Sequence, residues 1–364
     1  MKNIKHAILY ALKIWLSYFL LFSGSMAWLN DRLIPLGGLD FFNSVLRGIS
    51  QVIFINNPVS GLLIIIVITV HYPYLGVMGL IGCCMTTFLA IRSGFSITDI
   101  RNGIYGFGGA LIGFALSALA VNFSEERYYY IVFIMLVCLL SYFNIVIIKR
   151  LGFWFSNKTR LPFFTLPYNF SVFFLIVLLL MLYPDFIKGG SLHFNDGDHI
   201  SPTEIIEATF ITFGQVFFVG GVDSSILLFF ITVIFSPVSA ICAVLGAAIF
   251  VLIALFVGFD NALILSGVIG YNVVLTALVV GAVVHLFSIK SVLISIAAAI
   301  WSAMVSLGLA SVLVPLGLPV LTLPFCVATI SFLFVLWKFY PDLLIYTPYK
   351  YSSPEENIYS SRYV

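Results

Sequence analysis

Apolar residues run along this chain in long blocks rather than alternating with polar ones. The blocks 7–28, 41–56, 59–71, 74–91, 128–148, 165–183, 205–219, 222–237, 239–257, 291–312 and 319–340 predict helices with an apolar surrounding on most sides. Ten-residue alternation is missing, which argues against a β-barrel. Segment 103–119 begins glycine-rich, and 271–285 is comparably short. A helix that crosses a bilayer needs about 20 residues, so each of these two predicts a half-length helix entering from one side. Polar positions gather in the connections. Asp31, Arg32 and Gly37-Gly38 place a loop at 29–40; Arg92, Asp99 and Arg101 precede one short segment, and Asp260 and Asn261 the other. Pro58 removes a donor and disfavours helix at Asn57, so the pattern breaks there.

The pattern occurs twice. Gln51-Val52-Ile53-Phe54, running into Asn56-Asn57-Pro58, returns as Gln215-Val216-Phe217-Phe218, running into Gly220-Gly221-Val222, an offset of 215 − 51 = 164. Gly103-Ile104-Tyr105-Gly106-Phe107-Gly108 returns as Gly267-Val268-Ile269-Gly270-Tyr271-Asn272, again 164 apart. Leu161-Pro162-Phe163-Phe164-Thr165-Leu166-Pro167 returns as Leu318-Pro319-Val320-Leu321-Thr322-Leu323-Pro324, offset 318 − 161 = 157. Two homologous units follow, 41–184 and 205–341, joined by a linker at 185–204. Residues 1–40 form an appendage and 342–364 a tail. Each unit holds five spans and one half-helix. An odd number of crossings reverses the direction of entry, so the repeats are expected to be inverted, with a site on their pseudo-two-fold axis. Lys149, Arg150, Lys158 and Arg160 assign 149–160 to the cytoplasm. Asp185, Asp196, Asp198 and Glu204 place 185–204 outside, and the tail then falls inside. Block 7–28, with Lys5, His6 and Lys13 at its front, suits a spanning helix, an uncleaved signal-like segment or a surface helix.

Composition sharpens this. Hydrophobic residues make up 62% of the 364 and charged residues 9%, against about 25% charged in soluble domains. The expected class is an all-α integral membrane protein, whose helices satisfy their own backbone hydrogen bonds. Cys83, Cys84, Cys138, Cys242 and Cys326 lie in apolar runs without metal-ligand spacing and read as apolar fillers. No zinc-protease, nucleophile-elbow or phosphate-loop pattern is present, so neither catalysis nor a cofactor is expected. Within the spans, ionisable groups are scarce: His71 and His285 lie near segment ends, and Asp223 reads as a helix N-cap or a functional group. That scarcity argues against proton or sodium coupling.

The duplicated landmarks are the candidate lining: Gln51 and Gln215 with the adjoining Val216, Phe54 and Phe218, Phe107 and Tyr271, Leu111 and Leu275, Thr165 and Thr322. Singly each has a plain reading. A glutamine can bond a neighbouring helix, a phenylalanine can face lipid, and a threonine between prolines can cap a helix. Their repetition favours a shared pathway, because an axial passage needs paired residues and packing does not. Amides, hydroxyls and flat rings suit a small, neutral, planar, polar solute and offer little to an ion.

The run Gln51-Val-Ile-Phe-Ile-Asn-Asn-Pro-Val-Ser-Gly-Leu-Leu resembles a signature of the urea transporter family, as do Asn102-Gly-Ile-Tyr-Gly-Phe-Gly-Gly-Ala-Leu-Ile-Gly and Leu161-Pro-Phe-Phe-Thr-Leu-Pro-Tyr-Asn-Phe. The likeness covers about 41–341 and is similar to bacterial members, which implies a plasma-membrane location. The resemblance implies a homotrimer with one pore per subunit and passive, single-file permeation of urea. It implies that Phe54 and Phe107 form one aromatic slot with Leu111 nearby, and that Phe218, Tyr271 and Leu275 are their counterparts. Thr165 and Thr322 would mark the central constriction, Gln51 and Gln215 would bond solute near the mouths, and carbonyls around 107–108 and 271–272 would form ladders. Departures from the family's pattern are Gln215 where glutamate is frequent, Gly108 where asparagine is usual, and Gly220-Gly221-Val222 in place of Asn-Asn-Pro.

Overall fold

The structure is a computed structural model that describes residues 18–120, 128–159, 161–182, 200–343 and 352–363. After α1 (Ala27–Leu33) the first unit comprises α2 (Gly37–Ser50), α3 (Pro58–His71), α4 (Pro73–Arg92), the short α5 (Ile97–Arg101), the half-helix α6 (Gly106–Ala120), α7 (Tyr128–Thr159) and α8 (Leu166–Leu182). The second unit repeats it as α9 (Pro202–Gly214), α10 (Val222–Phe235), α11 (Pro237–Val257), α12 (Asn261–Ser266), the half-helix α13 (Tyr271–Leu278), α14 (Ile289–Leu313) and α15 (Leu323–Phe339). A last helix, α16, covers Pro354–Tyr363.

Local chemistry explains the breaks. α2 tightens into a 3-10 turn at Gln51–Ile53, and Phe54 then takes a left-handed conformation, φ 58°. The Asn57 side chain accepts from Ser60 N–H, and Pro58 opens α3 where its missing donor costs nothing. The result is a bend of 75° between the two helices; α9 and α10 bend by 74° around Phe218, φ 60°. Positive φ is uncommon for a bulky residue, yet here it recurs at matched positions. Phe164 and Leu321 both have φ 47°, and Gly103 and Gly267 have 72° and 66°. The backbone therefore repeats with the sequence.

The halves meet through equivalent parts. The 3-10 turns Gln51–Ile53 and Gln215–Phe217 pack on each other, as do α3 and α10, and Thr165 bonds Thr322. Contact between matching surfaces is the mark of a two-fold relation. Among the described residues, four helices are long and apolar enough to cross a membrane: Pro73–Arg92, Tyr130–Gly152, Pro237–Val257 and Ile289–Leu316. Each bent pair passes the same test only when its two helices are taken together, as a broken span or a re-entrant loop, and the blocks 41–56 and 59–71 form one such pair. The apolar side chains left on the outer faces, such as Phe256 and Met181, suit a lipid surrounding.

Several sequence expectations change. Segment 29–40 is not a loop: α1 and the start of α2 fill most of it, and Gly37-Gly38 open a helix. The basic stretch 149–160 continues α7 to Thr159, with Lys149 Nζ bonded to the Ser93 carbonyl. Hydropathy falls there while helix propensity does not. The tail contains α16, and its two glutamates are anchored. Glu355 accepts from Ser236 Oγ and Val238 N–H, and Glu356 from Ser25 N–H and Oγ. Residues 7–17 of block 7–28 and 185–199 of linker 185–204 lie outside the described residues.

Candidate functional site

The matched glutamines are fixed in matching ways. Gln51 Nε2 donates to the Asn102 carbonyl at 2.9 Å, and Gln215 Nε2 to the Ser266 carbonyl at 3.0 Å. Both acceptors stand in the turn that feeds a half-helix. Each amide thus bonds a neighbour with its NH2 group.

A cavity of about 310 Å³ of atom-free space lies between the halves. Seven sequence-predicted residues line it: Gln51, Phe54, Phe107, Leu111, Thr165, Val216 and Leu275. Val52, Phe164 and Phe325 also line it and were missed by the sequence reading. Phe164 directly precedes Thr165, and its left-handed backbone turns it inward. Phe325 joins Phe54 and Phe164 in a ring cluster, with centroids 6.1 Å and 5.2 Å away. Its matched position, 325 − 157 = 168, is Tyr168, the only sequence signal that could have found it. Gln215, Phe218, Tyr271 and Thr322 do not line this cavity. Phe218 and Tyr271 form an aromatic pair of their own, 6.4 Å apart and tilted by 38°.

At the cavity wall the two threonines meet. Thr165 Oγ1 and Thr322 Oγ1 are 2.6 Å apart, and Thr165 Oγ1 lies 3.1 Å from Cys326 Sγ. Asn169 locks the pair: its Nδ2 donates to Thr322 Oγ1 at 3.0 Å, and its Oδ1 accepts from Thr322 N–H at 3.1 Å. Thr322 makes no side-chain cap on α15, so the capping alternative fails for it. Asn169, a nominal glycosylation sequon, is buried. In the second half Asn272 plays a bridging part, donating to the Leu321 carbonyl and accepting from Phe325 N–H, both at 3.0 Å.

Charge stands behind this lining. Arg47, overlooked in the sequence within block 41–56, is completely buried. An arginine inside an apolar block was the signal. Its guanidinium donates to the Ser25 and Met26 carbonyls and to the backbone and side-chain oxygens of Asn56. Asn56 Nδ2 in turn donates to Asn102 Oδ1 at 2.7 Å. Asp223 is exposed in the first turn of α10, whose N-cap is Gly221, so it neither caps nor lines the cavity. His71 is exposed, while His285 is buried with Nδ1 against the Val280 carbonyl. Among the described residues no group of His, Cys, Asp or Glu is placed to hold a metal.

An all-helical body in two matched halves, with an apolar exterior and an uncharged cavity between them, is the architecture of an integral membrane transport protein. The sequence profile described as urea transporter matches residues 42–336, and the chain belongs to that family. It is similar to urea transporter 1 of Ovis aries, 27% identical over 342 residues that cover 91% of this chain and 85% of that protein. The Capra hircus protein of the same name matches to the same extent. That of Rattus norvegicus is 26% identical over 311 residues, 84% of this chain and 79% of its own.

Proposed function

We propose that this protein passes urea down its gradient, in single file, between its two halves. The observation that carries the reading is the cavity itself: aromatic walls, no charged lining residue, and the bonded Thr165–Thr322 pair where the halves meet. A flat amide entering it stacks on Phe54 and Phe107 and exchanges hydration for protein acceptors. Gln51 and Gln215 hold their NH2 groups on loop carbonyls, which leaves each amide oxygen to accept a urea N–H. Each hydrogen bond lost to water is regained in turn, so the barrier stays low. Non-planar solutes lose the stacking. The halves lie inverted in a plasma membrane of bacterial type, and the working unit is a homotrimer with one pathway per subunit.

Stopped-flow flux in proteoliposomes tests this, comparing urea with formamide, methylurea, glycerol and ammonia. Urea is expected to pass fastest and to ignore imposed proton or sodium gradients. Flux that follows either gradient would replace this reading with a coupled carrier.

A further inference from the structure

The two halves differ behind the cavity. In the second, Asn272 at the start of α13 ties the Leu321 carbonyl to Phe325 N–H. The first-half counterpart, 272 − 164 = 108, is Gly108, which has no side chain to do this. A Cβ at Gly108 would meet the Asn144 amide of α7 at 3.1 Å from Oδ1 and 3.3 Å from Nδ2. Asn144 therefore points its amide where the missing side chain would be.

That amide faces a second cavity, lined among others by Phe107, Gly108, Asn144, Phe164 and Tyr168. Asn144 and Tyr168 are each 1% exposed. Asn144 Oδ1, Asn144 Nδ2 and the Tyr168 hydroxyl make no hydrogen bond to any described residue. A buried amide and hydroxyl left unpaired are costly, and native interiors satisfy such groups with protein or ordered water. Phe107 and Phe164 also wall the main cavity, so the two spaces share a partition of rings.

We propose that this side cavity is a binding site for one small neutral molecule that donates and accepts hydrogen bonds, held by Asn144 and Tyr168 in place of the missing Gly108 side chain. Two sources share that chemistry, water and the permeating amide. A carboxamide such as Asn144 pairs with either: Oδ1 accepts and Nδ2 donates. The occupant backs the Phe107 and Phe164 rings and so holds the slot at working width. The amide source rests on the urea reading above; the water source does not.

Crystals of the wild-type protein, grown with and without selenourea, test the site. A peak within hydrogen-bond distance of Asn144 and Tyr168 in both supports water; one carrying anomalous selenium signal supports the amide. A cavity without density, with the Asn144 amide turned onto a protein partner, would overturn the proposal. Two variants add a functional readout. Asn144→Leu is expected to remove the peak and to slow flux severalfold while the melting temperature stays near the parent's. Adding Gly108→Asn to Asn144→Ala rebuilds the second-half arrangement and is expected to restore flux. Unchanged flux in Asn144→Leu with the density still present, or no recovery in the double variant when Asn144→Ala alone is slow, would sink it independently of whether urea is the solute.

Discussion

At the scale of single residues, the threonine pair joins chemistry to flux. Thr165 and Thr322 share one hydrogen bond where the halves meet, and Asn169 orients them. In the proposed passage, a solute at this point would gain a hydroxyl partner in place of water. Losing one such bond costs about 1 kcal/mol, or about a fivefold drop in rate. Thr165→Val and Thr322→Val are each expected to slow urea flux by about that factor, with oligomer and fold intact; uptake unaffected by either change takes them out of the pathway. Arg47 acts otherwise. It touches no solute but holds the Ser25, Met26 and Asn56 oxygens, and Asn56 reaches Asn102, on which Gln51 rests. Arg47→Met leaves those oxygens buried and unpaired, which costs about 2–4 kcal/mol. A clear drop in melting temperature is expected, larger than that for a change at exposed Asp223.

Among the described elements, α16 is held through a carboxyl that burial makes sensitive to pH. Burial raises the Glu355 carboxyl above its ordinary value, against the bonds it receives from Val238 N–H and Ser236 Oγ. The folded state then binds this proton more tightly than the unfolded chain does. Its contribution to stability is fully present below the unfolded value of 4.5 and fades as pH rises through the higher folded value. Melting temperature is expected to rise as pH falls from 8 toward 5, and Glu355→Gln to flatten that slope by staying neutral throughout. A slope identical in parent and variant would assign the effect elsewhere. Glu204 shows the opposite sign: the Ser201 backbone and side-chain bonds of its capping box lower its value. The half-helices are elements of another kind. Each follows a short helix, α5 or α12, and Phe107, Leu111 and Leu275 reach the cavity from them.

At the scale of the whole molecule, the two-fold relation is the organising fact. Matched bends of 75° and 74°, matched left-handed residues and self-facing contacts all follow from one duplicated unit. If the units are inverted in the bilayer, equivalent sites open to opposite faces. Thr98→Cys and Ala262→Cys lie 262 − 98 = 164 apart, both exposed. With the native cysteines removed, an impermeant thiol reagent is expected to label one from each side; labelling of both from one side contradicts inversion.

The sequence by itself determined the solvent, the duplication and the breaks. Composition sets the solvent residue by residue, and Asn57-Pro58 or Gly103 acts through local sterics that any fold must obey. Seven of the ten residues that line the cavity were legible in the sequence, although of those seven only Leu111 and Leu275 are a matched pair. The tertiary structure alone decided which partners share a space. Phe325 enters the ring cluster, Thr322 leaves the lining to bond Thr165, and Arg47 finds its carbonyls only when distant segments close on one another. Ser25 and Glu356 meet across 331 residues. No local pattern encodes such a meeting, since it depends on how separate helices pack and which buried polar groups that packing leaves to be satisfied.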